Sequence, residues 1–323
     1  MAFLTPMTPA QARAIGAIYG LEVAAVQPLA KGVNSNFRFE LGGGEAAFAR
    51  VHETVSPDVV AARCRLTDHL ARAGVPTPRP LCRREDGEAV TLHAGKPLAL
   101  FPFVRGQWCC QATVGPDRVR RVGGLLAQLH RAGASFRDPP DGMAEVVQLP
   151  RQVAALSRGA QAAELADDLR RLAAQLADLG PGITRRASVP VIHGDLFRDN
   201  VLWVGDELTA VLDFELAGAG DPLFDLLVTV LAWCFGAELD QQLARALVAG
   251  YRAVLPLSNT DLQACYDQAR LAAVRWAVGR IAGYELQPRG AIAYKDYRRF
   301  LARLDAIEQI GPRCFPAWLS GDA

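Results

Sequence analysis

The spacing of apolar residues changes period along this chain, and that change limits the folds open to it. Phe37, Phe39 and Leu41 alternate with polar residues, Gly42-Gly43-Gly44 follows, and Phe48, Arg50 and His52 alternate with Ala47, Ala49 and Val51. This is the period of a β-hairpin with the glycines in its turn. From Pro116 onward the apolar positions fall three and four apart instead: Val122, Leu125, Leu126 and Leu129, then Leu165, Leu169, Leu172 and Leu176. That is the spacing of helices with one buried face. A small lobe containing a sheet is therefore expected first, and a mainly helical lobe after it.

Local signals fill in both lobes. Thr8-Pro9 reads as an N-cap and first helical position, opening a helix through Tyr19. Ser56-Pro57-Asp58 starts a second helix, whose stripe of Leu66, Leu70 and Ala73 runs until Gly74 and Pro76 stop it. Strand-like pieces around Ala89 to Leu92 and Pro97 to Phe103 complete the small lobe, which is expected to end near Arg105-Gly106. The division is then residues 1–105 and 106–323. Short strands at Val189 to Ile192, Val201 to Val204 and Leu208 to Leu212 interrupt the helical half.

Composition removes several function classes. The 323 residues carry 35 Lys+Arg against 34 Asp+Glu, a formal charge of +1, so no whole-surface binding to nucleic acid or to an anionic membrane is expected. The longest apolar stretch, Leu226 to Phe235, is far short of the ~20 residues of a spanning helix and reads as a buried helix. No basic region precedes the apolar residues of Met1-Ala2-Phe3-Leu4, so a secretory leader is not expected. Seven cysteines without a C-x-x-C pair suit reduced thiols in the cytoplasm. Lys31-Gly32 lacks the P-loop pattern, and Gly42-Gly43-Gly44 lacks the strand-to-helix setting of a dinucleotide fingerprint.

The densest polar chemistry lies at His193-Gly194-Asp195-Leu196-Phe197-Arg198-Asp199-Asn200 and, two strand signals later, at Asp213-Phe214-Glu215. An Asp, an Asn five residues on, and an Asp closing the following hairpin can converge on one point. Two hard oxygen ligands, from Asn200 and Asp213, suit Mg²⁺, which keeps several waters and completes its shell from substrate phosphates. Asp195 would lie beside that metal, free to accept a hydrogen bond from a substrate hydroxyl. These are the parts of a phosphoryl transferase, whose chemistry is mostly in-line positioning and neutralisation of phosphate charge.

H-x-D-x-x-x-x-N followed by D-F resembles the catalytic and metal loops of protein-kinase-like folds. The H-G-D form, with Gly220-Asp221-Pro222-Leu223-Phe224-Asp225-Leu226, resembles the aminoglycoside phosphotransferase and choline kinase superfamily. Within it, Asp195-Leu196-Phe197-Arg198-Asp199-Asn200-Val201-Leu202 is most similar to the kinase-like (type II) homoserine kinases. The resemblance spans nearly the whole chain, taking in Gly32-Val33-Asn34-Ser35-Asn36-Phe37, Gly74-Val75-Pro76-Thr77-Pro78 and Leu126-Ala127-Gln128-Leu129-His130. It implies an α+β, protein-kinase-like bilobal fold with an antiparallel sheet in the small lobe.

It also implies a kinase using ATP and Mg²⁺ on the hydroxyl of a small metabolite, L-homoserine first. An aminoglycoside, choline, ethanolamine or methylthioribose acceptor is the alternative within the superfamily, and a nucleotide-binding scaffold the alternative outside it. By the resemblance Asp195 is the catalytic base or hydroxyl-orienting carboxylate, and Asn200 and Asp213 hold the metal. His193, Asp221 and Asp225 are structural, with Asp225 both capping the apolar helix and anchoring the catalytic loop. The third-strand lysine that pairs the nucleotide phosphates falls at Arg50, while the helix that should offer its Glu partner has Ala62 and Arg63 there. Gly32, Asn34 and Ser35 form the phosphate cover, and Phe101 and Phe103 lie against adenine. For the acceptor, Arg198 is the candidate for a carboxylate or phosphate and Glu215 for an ammonium. Trp276, Arg280 and Tyr284, on the helical face opposite Leu271, Val274, Val278 and Ile281, are candidates to wall that site.

Overall fold

The computed structural model describes residues 5–29, 33–159, 162–180, 190–285 and 295–321. Its small lobe runs α1 (Pro9–Ile18), β1 (Val23–Pro28), β2 (Ser35–Leu41), β3 (Ala46–Val51), α2 (Pro57–Arg72), β4 (Val90–His93) and β5 (Lys96–Pro102). The strands form one antiparallel sheet in the order β1-β2-β3-β5-β4. Thr8 starts α1 through a reciprocal capping box with Gln11, and Pro9 fits the first turn because no amide is needed there.

Period two along β3 decides what faces the ligand. Ala47, Ala49 and Val51 are buried and join Phe37, Phe39 and Leu100 against Ala12, Ile15 and Tyr19 of α1 and its C-terminal end. The intervening Phe48 and Arg50, with His52 just beyond the strand, line the opening beneath the sheet. On that side α2 sets Val60 and Cys64 against Ala99, while its Leu66 and Leu70 join the core of the helical lobe. One helix thus packs against both lobes.

The chain crosses over through β6 (Gln107–Trp108), which pairs with β8. There follow α3 (Pro116–Gly133), α4 (Ala144–Val147), α5 (Leu149–Leu156) and α6 (Ala162–Leu179), then β7 (Val191–Ile192), β8 (Val201–Val204), β9 (Glu207–Val211) and β10 (Gly218–Ala219). Helices α7 (Pro222–Trp233), α8 (Gln241–Arg252), α9 (Asn259–Arg280), α10 (Arg298–Ile310) and α11 (Phe315–Ser320) complete the lobe, with a π-helical turn at Ile281–Glu285. The sheets here are small: β7 with β10, and β6-β8-β9.

Helix α7 is buried on every face from Leu223 to Trp233, as the unbroken apolar run implies. Helix α9 is exposed or half-buried over its first turns and buried from Gln268 to Val278 except at Trp276, which is half-buried. Helices α3 and α8 touch backbone to backbone: a Cβ at Gly123 would lie 2.0 Å from the Leu247 carbonyl oxygen, and one at Gly250 would lie 1.9 Å from that of Arg120. Among the described residues no helix is long and apolar enough to cross a membrane.

Candidate active site

Between the lobes lies a cleft of about 850 Å³, within the usual size of ligand pockets. Phe48, Arg50 and Phe101 to Arg105 line its upper side, and Leu202, Leu212, Asp213 and Glu215 its floor. Phe101 and Phe103 therefore line the cleft, joined by Phe48, whose ring lies 6.5 Å from that of Phe101. Phe48 could have been found from its phase, since it shares a face with Arg50.

The catalytic loop is held from below by one carboxylate. Asp225 accepts hydrogen bonds from the backbone N–H groups of His193 (2.7 Å) and Gly194 (2.9 Å) and lies 3.0 Å from His130 Nε2, which in turn is fixed through Nδ1 to the Tyr251 hydroxyl. Burial opposes ionisation of Asp225, but these donors outweigh it and hold the carboxyl below its ordinary range. Asp225 anchors the loop without capping α7: the cap is Asp221, whose carboxylate accepts from Leu223 N–H at 2.9 Å. Four residues into the helix, Asp225 is too deep to reach the free amides of the first turn.

His193 ties the two functional loops together. Its Nε2 lies 3.0 Å from the Leu212 carbonyl and its Nδ1 3.2 Å from Asp195 N–H, so the ring is neutral, with Nε2 donating and Nδ1 accepting. Burial accordingly pushes its pKa down. Gly194 follows with φ +77°, and an added Cβ would stand 2.9 Å from the Leu216 carbonyl oxygen. Only glycine fits that turn without displacement.

Asn200 Nδ2 donates to the Asp195 carbonyl at 2.8 Å and reaches its Oδ2 at 3.3 Å. The amide nitrogen is thus committed, which leaves the Asn200 oxygen for a cation. The Asn200 carbonyl also accepts from Leu212 N–H at 2.8 Å, tying the catalytic loop to the strand that delivers Asp213. Asp213 itself adopts φ 66° and ψ 72°, a left-handed conformation rare outside glycine and concentrated at functional sites. Burial pushes the Asp195 carboxyl well above its ordinary range, with Arg275 pulling the other way and Asp213 and Asp199 adding to the rise.

Arg50 meets its acidic partners on the loop that follows β9. Its Nη1 lies 2.8 Å from Glu215 Oε1 and 3.1 Å from Asp213 Oδ1, while its Nε donates to Asn36 Oδ1 at 3.0 Å. Burial works against the charge of Asp213, but Arg50 holds its carboxyl down; at Glu215 burial prevails and the pKa rises. Two carboxylates against one guanidinium leave a site short of positive charge. Together with the Asn200 oxygen this fits a divalent cation completing its shell from phosphate and water. No cluster of three or more His, Cys, Asp or Glu able to hold a metal occurs among the described residues.

Several expected contacts fall elsewhere. Glu215 is engaged with Arg50 and accepts from Asn34 Nδ2, so it is not free to face an acceptor ammonium. The Asn34 oxygen accepts from Glu53 N–H, and the buried Ser35 hydroxyl bonds Glu53 and accepts from Thr5 N–H, so both side chains brace the turn instead of reaching a nucleotide. Gly32 lies outside the described residues, as does Val189, and nothing is described of the Tyr284 side chain. Arg198 donates to the Gln111 side chain. Trp276 packs on Phe197 at 4.6 Å and on Phe300 at 6.0 Å, and Arg280 lies over Phe300 and donates to the Asp296 carbonyl. The sequence reading passed over Arg275, a buried arginine at Leu271+4 in an otherwise apolar stripe, although a charge in that phase was the signal available.

Known proteins match this architecture along its whole length. Two curated homoserine kinases, from Methylocella silvestris and Xanthobacter autotrophicus, are each 32% identical to the chain, over 316 and 311 residues. The first alignment covers 96% of this chain and 97% of that protein, the second 94% and 95%. Among solved structures, amicoumacin kinase hAmiN in complex with AMP-PNP, Ca²⁺ and Ami superposes with a TM-score of 0.66 at 16% identity, covering 93% of this chain and 92% of that one. Choline kinase from Cryptosporidium parvum gives 0.63 at 12% identity, covering 95% and 98%. These two likenesses establish the bilobal kinase-like fold. The phosphotransferase enzyme family model matches residues 25–257, which takes in both lobes and both functional loops, and the chain belongs to that family.

Proposed function

We propose that this protein is an ATP- and Mg²⁺-dependent kinase that phosphorylates the side-chain hydroxyl of L-homoserine. The observation that carries the reading is the convergence of Asp195, Asn200 and Asp213 beside Arg50 at the edge of the interlobe cleft. The near full-length similarity to homoserine kinases supports the acceptor. The lobe division at residues 1–105 and 106–323 goes with this reading, with the cleft between them as the nucleotide site.

The roles follow from the contacts. Asp195 orients the acceptor hydroxyl and takes its proton as the hydroxyl oxygen bonds to the γ-phosphorus and the bridging oxygen–phosphorus bond of ATP breaks, releasing ADP. Arg50 supplies a fixed guanidinium to the phosphates, with Glu215 and Asn36 setting its direction. Asn200 and Asp213 would hold the metal, which when bound neutralises charge on the phosphoryl oxygens. His193 and Asp225 position the loop, and Phe48, Phe101 and Phe103 give the base an apolar slot.

Coupled ADP release with Mg-ATP tests the acceptor against L-homoserine, L-serine, choline, ethanolamine, methylthioribose and kanamycin. A kcat/KM for homoserine at least ~10²-fold above each of the others supports the reading. A higher value for another acceptor reassigns the pocket and keeps the mechanism. No stimulation by any acceptor would sink it.

A further inference from the structure

Helix α9 places a guanidinium beside the catalytic loop that the transfer chemistry described above does not use. Arg275 is 6% exposed, yet among the described residues its sole hydrogen bond runs from Nη2 to Glu145 Oε2 at 2.7 Å. Among the described residues its Nε and Nη1 have no hydrogen-bond acceptor, and neither is sealed from solvent. A guanidinium carries five donors, so Arg275 keeps donors open to a ligand that reaches it. The partner is itself largely in solvent, since the Glu145 side chain is 57% exposed.

The surroundings point the same way. The Arg275 guanidinium lies 3.8 Å from the Trp276 ring centre, and Trp276 packs at 4.6 Å on Phe197, two residues beyond Asp195. Among the described residues, Trp276 Nε1 is a buried donor without a partner. On the other side, Glu145 opens from Asp141-Gly142, where Gly142 N–H bonds the Ala219 carbonyl at 3.0 Å; Ala219 pairs with Val191, which leads into the catalytic loop. Of the charged groups acting on Asp195, Arg275 weighs most. The neighbouring arginines are differently placed, because Arg303 spends Nε and Nη1 on the Leu231 and Arg299 carbonyls and Arg280 donates to the Asp296 carbonyl.

We propose that Arg275 is the specificity-determining residue of the acceptor site and binds a carboxylate on the alcohol that Asp195 orients, so that the enzyme selects hydroxy acids over alcohols lacking that group. In a four-carbon hydroxy amino acid the carboxylate carbon lies four bonds from the hydroxyl oxygen, about 5 Å away when the chain is extended. An acceptor with its hydroxyl at Asp195 extends its carboxylate toward Arg275, the charged group that acts most strongly on Asp195. Its ammonium then faces Glu145, so a zwitterion exchanges one internal ion pair for two with the protein. A choline or aminoglycoside would bring its cation against Arg275 and be repelled.

The inference rests on the kinase reading above, and the test separates the two. Wild type, Arg275→Gln and Arg275→Lys are assayed with L-homoserine, L-serine, 4-hydroxybutyrate and 3-aminopropan-1-ol, the last lacking the carboxylate. Arg275→Gln should lower kcat/KM for L-homoserine by ~10²-fold or more, chiefly through KM, with KM for ATP and the rate on 3-aminopropan-1-ol little changed. Arg275→Lys keeps the charge and should restore part of the preference. If another hydroxy acid is the preferred acceptor and Arg275→Gln loses that preference, the inference stands and the homoserine assignment falls. If homoserine is phosphorylated but Arg275→Gln depresses it and 3-aminopropan-1-ol equally, with a lowered melting temperature, Arg275 is structural and the inference is overturned. It is overturned too if wild type uses only an acceptor without a carboxylate, or none of the four.

Discussion

Arg50 Nη1 stands 2.8 Å from Glu215 Oε1, which joins the third strand of the small lobe to the metal loop of the other lobe. This pairing supplies the acid that the helix α2 lacks. Glu215→Gln should therefore raise KM for ATP by ~10-fold while leaving KM for the acceptor near wild type. Arg50→Ala should lower kcat/KM by ~10² or more, and Arg50→Lys by less, since a lysine keeps the charge but loses the Nε donor that Asn36 holds. Steady-state kinetics varying ATP and acceptor separately checks the set. Wild-type kinetics in Arg50→Ala would remove the residue from the site.

The Asp225 carboxylate is fully buried and holds two loop amides and His130. Asp225→Ala leaves those donors without an acceptor and should destabilise the fold by about 3 kcal/mol or more, measured by urea unfolding. Asp221→Ala removes the α7 cap and should lose about 1 kcal/mol.

Two buried, neutral histidines should make the fold weaken as the pH falls below neutral. Burial, with Arg50 and Arg63, lowers His52 from 6.5 to about 4, and burial also lowers His193. The contact of His52 Nδ1 with Glu215 at 3.6 Å is therefore not an ion pair at neutral pH. The unfolded chain takes up the proton first, so stability is complete above pH 6.5 and falls as the pH drops through the window down to about 4. His52 alone should account for ~2 kcal/mol between pH 7 and pH 5. Urea unfolding at those two values checks this, and His52→Gln should flatten the difference by that amount.

Close helix contact makes two glycines intolerant. Gly250→Ala and Gly123→Ala drive a methyl into the facing backbone of α3 and α8 and should each lose about 1–3 kcal/mol, read as a drop in melting temperature. Gly43→Ala, where an added Cβ meets nothing within 4 Å, should change little.

Much of this was legible wherever one period persists. The β2–β3 hairpin and the phase that turns Arg50 toward the cleft followed from alternation, and α7 from an unbroken apolar run. Strand β1 was missed because Val23–Pro28 sits at the sheet edge with most positions exposed, so no alternation marks it. Strand β6 is two residues held by a partner far along the chain. The loop spacing singled out Asp195, Asn200 and Asp213, which the structure sets on adjoining loops. Contacts between lobes left no local trace: Glu215 was read toward the acceptor because nothing in its neighbourhood names Arg50, and Arg275 was passed over because it falls within the apolar stripe of Leu271, Val274 and Val278.

The central claim is transfer of a phosphoryl group from ATP to a homoserine hydroxyl oriented by Asp195. Mass spectrometry of the products from Mg-ATP and L-homoserine, with wild type and Asp195→Asn in parallel, tests it most directly. The expected result is O-phosphohomoserine from wild type and a loss of at least ~10³-fold in its rate of formation by Asp195→Asn, with ATP binding retained. No phosphohomoserine from wild type, or its formation by Asp195→Asn at the wild-type rate, would contradict the account.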